Sequence, residues 1–122
     1  MRNFRELDIW KDSIELVKEV YSLVEHIPDT EKFGLKSQLT RSVDSISANI
    51  AEGCAKDSQK EFVRFLQISL GSAFELETHI IICVELLFVD KQDNLIEKIN
   101  ILQRRIKALI NYSKSQAKTY NQ

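Results

Sequence analysis

Four long stretches of the chain carry apolar residues at alternating spacings of three and four, which is the pattern of a helix with one buried face. These stretches span residues 8–27, 31–53, 58–89 and 92–118. Pro28 ends the first stretch, and Ser58 with Glu61 forms a capping box that opens the third. The pattern predicts a single all-α domain over residues 1–122, an antiparallel up-down-up-down left-handed four-helix bundle.

The first predicted helix carries two apolar seams side by side. One seam consists of Trp10, Ile14, Val17, Tyr21 and Val24, and the other of Leu16, Val20, Leu23 and Ile27. A bundle core occupies one seam. The other seam either contacts another subunit or forms a broad apolar face that ends at solvent.

The second predicted helix has a polar stripe beside its core seam. The stripe comprises Arg41, Ser42, Ser45, Asn49 and Glu52. It forms either a network with neighbouring helices or a face that contacts a partner or another subunit.

Two glycines carry separate predictions. Gly53 is expected to adopt a left-handed backbone where the second helix stops. In the third helix, Gly71 costs about 1 kcal/mol relative to alanine, which predicts close packing against another backbone.

The last predicted helix is the basic part of a chain whose net charge is only −1. Residues 1–90 hold 10 Lys or Arg against 16 Asp or Glu, whereas residues 91–122 hold 7 against 2. Lys107, Asn111, Lys114 and Lys118 share one outer face, with Arg104 and Arg105 close by. This face is either an ordinary solvated surface or an electrostatic footprint for RNA phosphates, beside which Tyr112 and Tyr120 are candidates to stack on bases.

Antiparallel turns allow charged residues on neighbouring helices to be paired by their distance from the turn. A turn near residue 90 sets Glu75 and Glu77 opposite Arg104 and Arg105. A turn near residue 56 brings Arg41 within about one helical turn of Glu75, and we expect these two side chains to form a contact.

The sequence offers no recognisable catalytic or metal-binding motif. His26 and His79 are the two histidines, and the residue three before His79 is a leucine, so the Glu-x-x-His pair of di-iron bundles is absent. Cys54 and Cys83 are too few for a disulfide framework, and we expect both to be structural. The chain is therefore expected to be a cytoplasmic protein without enzymatic activity, cofactor, metal or membrane segment.

Two central segments resemble the 23S rRNA intervening-sequence family of small bacterial four-helix-bundle proteins. They are RSVDSISANIAEG (41–53) and FLQISLGSAFELE (65–77). Earlier residues that agree with the family pattern are Phe4, Leu7, Trp10, Tyr21, Pro28, Glu31, Phe33, Gly34, Leu35 and Gln38. The resemblance, which extends to about Val89, implies a homo-oligomeric ring, most often a pentamer, with structured RNA as the partner that the family name suggests. The competing hypothesis is a protein-binding adaptor that does not contact nucleic acid.

Overall fold

The computed structural model describes residues 2–31 and 33–120, with side chains through residue 116. These residues form four α-helices and no strand, which confirms the all-α prediction. The helices are α1 (Asp8–Val24), α2 (Leu35–Cys54), α3 (Gln59–Glu85) and α4 (Asp93–Tyr120). Short 3-10 turns at Phe4–Glu6 and Asp29–Glu31 precede α1 and α2.

Each helix packs against the next one along the chain, and α4 closes the bundle against α1. Neighbouring helices run in opposite directions, as the ion pairs between α1 and α4 illustrate. Glu19 pairs with Lys98, and Asp12 pairs with Arg105, so higher numbers on one helix meet lower numbers on the other. The contacts of the other three helix pairs follow the same rule. The bundle is therefore antiparallel.

The core contains apolar side chains from all four helices. Those with almost no exposed surface include Val20, Leu39, Val43, Ile46, Ile50, Leu66, Leu76, Ile80, Ile99, Leu102, Ile106 and Ile110. The two seams of α1 divide clearly. The seam that begins at Leu16 is buried in this core, whereas the seam that begins at Trp10 is half-buried and includes the exposed Tyr21.

Helices α2 and α3 approach each other closely where α2 ends and α3 begins. A Cβ atom added to Gly53 would lie 2.8 Å from the Cβ of Phe65. No described glycine has a positive φ, and α2 continues through Cys54 to an αR residue, Ala55. The predicted left-handed role of Gly53 is therefore wrong, because this glycine is needed for close helix packing rather than for helix termination.

The connections shorten the predicted helices at several ends. The chain leaves α1 in a turn before Pro28, in which the N–H of Ile27 donates to the carbonyl of Val24 (3.1 Å), and Gly34 is the N-cap of α2. The Ser58 half of the predicted capping box is present, because its hydroxyl accepts from the N–H of Glu61 (3.1 Å), while the Glu61 carboxylate accepts from Arg64 (2.8 Å). No helix in the described part of the chain is both long enough and apolar enough to cross a lipid bilayer.

The end of α3 contains a strained residue. Leu87 has φ 61°, which is the left-handed region that favours glycine. Its N–H donates to the carbonyl of Val84, and the N–H of Phe88 donates to that of Cys83, so the turn is a Schellman motif. Leu87 is 89 % exposed, although its four-residue spacing from the buried Cys83 would place it on the core face of a continuous helix. The helix has ended before this position, and the helical period no longer applies.

Candidate nucleic-acid interface

The side of α4 that faces α3 and solvent carries exposed cations. Lys107 and Lys114 lie on it with Asn111 between them, and all three side chains are exposed. Neither lysine forms an ion pair with any residue whose side chain the structure describes. No acidic residue follows Glu97 in the sequence. These lysines are therefore free to attract an anion. The side chain of Lys118 lies outside the described residues.

Arg104 lies beside this face, but Arg105 does not. Arg104 makes a 3.6 Å ion pair with Glu97, and both side chains are about two-thirds exposed, so water screens the pair. Arg105 instead pairs at 2.6 Å with Asp12 on α1. Consecutive helical residues point about 100° apart, which turns Arg105 toward α1. Its expected place in one cluster with Lys107 is therefore wrong. We call Arg104, Lys107, Asn111 and Lys114 the α4 basic face.

A groove of about 660 Å³ separates this face from α3. Leu70, Phe74 and Ala108 provide apolar walls, and Arg104 and Lys107 line the groove on the α4 side. The Phe74 side chain is 54 % exposed, although it is among the largest apolar side chains of α3. The groove therefore combines an accessible aromatic ring with two cations.

Amide side chains form the inner part of the same groove. Glu77 on α3 accepts hydrogen bonds from Gln103 (2.8 Å) and Asn100 (3.1 Å) on α4, and Gln103 is buried. The expected pairing of Glu77 with Arg104 or Arg105 is wrong. Pairing residues by their distance from the turn predicted roughly the correct height of Glu77 along α4. At that height, however, the side chains that reach Glu77 are amides, whereas Arg104 pairs with Glu97 and Arg105 with Asp12. Glu75, the second acid of that expectation, lies 3.7 Å from His79 on its own helix.

The polar stripe of α2 is partly internal and partly exposed. Ser45 and Ser72 join α2 to α3 through a 2.8 Å hydroxyl contact, and the Asn49 amide donates to the Ser45 carbonyl (2.8 Å) and hydroxyl (2.9 Å). Glu52 and Arg41 at the two ends of the stripe are exposed.

The expected contact between Arg41 and Glu75 is absent from the ion pairs of the described side chains. Because Ser45 faces Ser72, Arg41 lies roughly level with Glu75 on the neighbouring helix. Both side chains are exposed, so each points into water rather than across the helix boundary. The equal height of Arg41 and Glu75 along the bundle axis was predictable, but the directions of their side chains were not.

Elsewhere in the described structure, three side chains have a raised pKa. Burial raises the pKa of the Cys54 and Cys83 thiols, which disfavours the nucleophilic thiolate. Tyr21 donates a 2.8 Å hydrogen bond to the Asp44 carboxylate, which raises the pKa of Tyr21. Among the described residues, no three His, Cys, Asp or Glu side chains lie close enough to hold a metal ion.

The outer face of α3 was not identified from the sequence. Ile68, Ile82 and Leu86 are exposed there to between 36 and 54 %. A Cβ added to Gly71, on the same face, would meet no atom of another element within 4 Å, so the expected backbone contact at this glycine is absent from the described residues. These apolar residues lie off the core seam on a helical wheel, which is the signal that could have identified them.

Three comparisons with known proteins bear on this arrangement. The profile of the family described as 23S rRNA-intervening sequence protein matches residues 5–108. A crystal structure of a protein with unknown function, from the S23 ribosomal protein family of Bacteroides thetaiotaomicron VPI-5482, aligns with a TM-score of 0.77 and 22 % identity. The alignment covers 84 % of this chain and 95 % of that one, and it shows that the two share a fold. No curated protein matches the chain.

Proposed function

Because this chain belongs to the 23S rRNA-intervening sequence protein family, we propose that it binds structured RNA through the α4 basic face, as a module without enzymatic activity. The observation that carries the proposal is the pair of exposed lysines, Lys107 and Lys114, which have no ion-pair partner among the described side chains. Their seven-residue separation places them about 10 Å apart along the helix axis, so they contact separate phosphates.

The electrostatic surroundings also support RNA as the partner. Among the described side chains, Arg104 forms an ion pair with the exposed Glu97, and a phosphate can replace that carboxylate at little cost. The acidic residues that make the remainder of the chain negative lie before residue 98. Phosphate contacts release counterions, so each lysine engaged adds to the salt dependence of binding.

A titration of fluorescently labelled structured RNA at roughly 50 and 200 mM salt tests this function. With about three phosphate contacts, we expect affinity to fall about 20- to 40-fold between the two conditions. Changing Lys107, Lys114 and Lys118 together to glutamine should abolish most of the binding at the lower salt. The control changes Lys11 and Lys91 to glutamine, because both are exposed and lie away from the α4 basic face. Failure of the wild type to bind at 50 mM would contradict the proposal.

We further propose that the working unit is a homo-oligomer, and the family resemblance suggests a pentamer. Support comes from the outer face of α3, where the exposed Ile68 lies beside Gly71, and the exposed Ile82 and Leu86 lie three to four turns further along. A glycine allows a second helix to approach closely, and exposed apolar neighbours gain free energy when another subunit covers them. A second copy of the chain can supply the apolar surface that covers these residues.

Sedimentation equilibrium tests the oligomer. We expect a wild-type mass several times that of one chain and a monomer for Ile82→Lys, because the new charge would be buried in the contact. Leu87→Lys is the matched control, since Leu87 is 89 % exposed at the end of α3 and lies off its outer face. A wild type that is monomeric at high micromolar concentration would rule this arrangement out.

The alternative function is a protein-binding adaptor that uses the same outer face of α3 without contacting nucleic acid. The exposed apolar residues on that face favour it, because apolar patches on helices are common protein-binding surfaces. The two functions differ in one result. RNA binding that requires Lys107 supports the first, and an absence of RNA binding at 50 mM salt supports the adaptor.

A further inference from the structure

We propose that the groove between α3 and α4 binds an unpaired base of the RNA, with Phe74 as the surface on which the base stacks. This inference rests on the proposed RNA-binding function and adds a substrate class to it, namely single-stranded segments such as loops and bulges. The α4 basic face holds the phosphates on either side of the base, and the groove holds the base itself.

Charge distinguishes this groove from two other grooves of the described structure. Arg104 and Lys107 line it, and the nearest acid, Glu77, accepts hydrogen bonds from the lining residues Asn100 and Gln103. The groove between α1 and α4 contains Asp12, Glu15 and Glu19 against Lys98 and Arg105, and the one at the end of the bundle contains Glu19 and Asp90 against Lys18, so acids outnumber cations in both. Charge complementarity therefore assigns a polyanion to the α3–α4 groove.

The exposed aromatic ring in the groove favours an unpaired base as the ligand over a phosphate group alone. Single-stranded RNA is recognised by stacking of its bases on aromatic side chains, a contact that every base can make. Phe74 offers such a ring, more than half exposed, with Leu70 and Ala108 as apolar neighbours. A base in a duplex is already stacked and paired and does not reach this ring. The groove is therefore selective for unpaired nucleotides.

The size and polar lining of the groove agree with a nucleotide. Its volume of about 660 Å³ lies within the range of small-molecule sites. The Glu77 carboxylate accepts hydrogen bonds from Asn100 and Gln103, which fixes the two amide groups. The Asn111 amide lines the outer part of the groove and makes no hydrogen bond with a described side chain, which leaves it available to the edge of a base.

The test measures the affinities of the wild type, Phe74→Leu and Phe74→Tyr for two RNAs of equal length and charge. One RNA is a hairpin whose loop carries 2-aminopurine, and the other is a fully paired duplex. We expect the wild type to prefer the hairpin and to change the fluorescence of the loop base. Phe74→Leu should weaken hairpin binding about tenfold and leave duplex binding unchanged. Phe74→Tyr, which keeps an aromatic ring, should bind the hairpin as tightly as the wild type. Because no phosphate contact is lost, the salt dependence of Phe74→Leu should equal that of the wild type.

Phe33→Leu is the matched control, because Phe33 is an exposed phenylalanine before α2, outside the groove. Equal affinity for hairpin and duplex, or hairpin affinity that Phe74→Leu leaves unchanged, would overturn the inference while the RNA-binding function stands. Absence of RNA binding in the wild type would overturn both. If Phe74→Leu instead converts an oligomer to a monomer in sedimentation, the groove is a subunit contact and the inference is wrong.

Discussion

The two helical glycines Gly53 and Gly71 should respond in opposite ways to the same change. Gly71 lies in the interior of α3 and Gly53 is the last residue but one of α2, and replacing either glycine by alanine gains at most about 1 kcal/mol in helix propensity. They differ in what the added methyl group meets. At Gly71 no atom lies within 4 Å, whereas at Gly53 the Cβ of Phe65 lies at 2.8 Å and the carbonyl of Phe62 at 3.4 Å.

The magnitudes follow from that geometry. Gly71→Ala keeps the whole propensity gain and should stabilise the protein by about 1 kcal/mol. At Gly53 the obstructing atom is a Cβ fixed to the α3 backbone, so no rotamer change can relieve the contact and the helices must separate. Such overpacking costs about 1–3 kcal/mol, which exceeds the propensity gain. We expect Gly53→Ala to be the less stable of the two variants by about 2 kcal/mol.

Urea unfolding followed by circular dichroism at 222 nm measures both changes. The experiment is done at low protein concentration, where subunit contacts contribute least to the free energy of unfolding. The transition of Gly71→Ala should move to higher urea than the wild type and that of Gly53→Ala to lower urea, with unchanged slopes. A Gly53→Ala protein as stable as Gly71→Ala would refute the reasoning, because it would mean that α2 and α3 do not approach as closely as described.

Three further predictions concern helix ends and thiols. Leu87→Gly should stabilise by about 1 kcal/mol in urea unfolding, because it removes the strain of a left-handed leucine whose side chain buries little surface; a destabilised variant would contradict this. Ser58→Ala should cost about 1 kcal/mol in the same assay, through loss of its bond to the N–H of Glu61, and a neutral effect would mean that the cap is not formed. Cys54 and Cys83 should react with iodoacetamide at pH 8 at least tenfold more slowly in the folded protein than in urea, because burial both raises the pKa and shields the sulfur. Mass spectrometry gives the rates, and a fast folded-state reaction would show that the thiols are accessible.

The helices and most of the core were predictable, because apolar spacing reports directly on which face of a helix is buried. The seam of Leu39, Val43, Ile46 and Ile50 in α2 is buried as the spacing requires. The helix ends were less predictable. α1 stops at Val24 rather than at residue 27, since a hydrogen-bonded turn before Pro28 replaces its last helical turn.

The candidate site was predictable only in part, because a one-dimensional pattern gives levels along a bundle more reliably than directions around it. The level of Glu77 on α4 was found, but its partners are the amides of Asn100 and Gln103 rather than an arginine. Phe74 was missed, because an aromatic residue within an apolar helix is ordinarily read as core. Its exposure depends on how far α3 and α4 separate, which the sequence does not specify.

The salt dependence of RNA binding tests the central claim most directly. The quantity is the slope of log affinity against log salt, measured for the wild type, for a protein with Lys107 and Lys114 changed to glutamine, and for the control with Lys11 and Lys91 changed. Loss of two phosphate contacts should reduce the magnitude of the slope by about 1.4–1.8 in the first variant and leave it unchanged in the control. Equal slopes for the two variants would mean that RNA is not held by the α4 basic face, and the proposed function would be wrong.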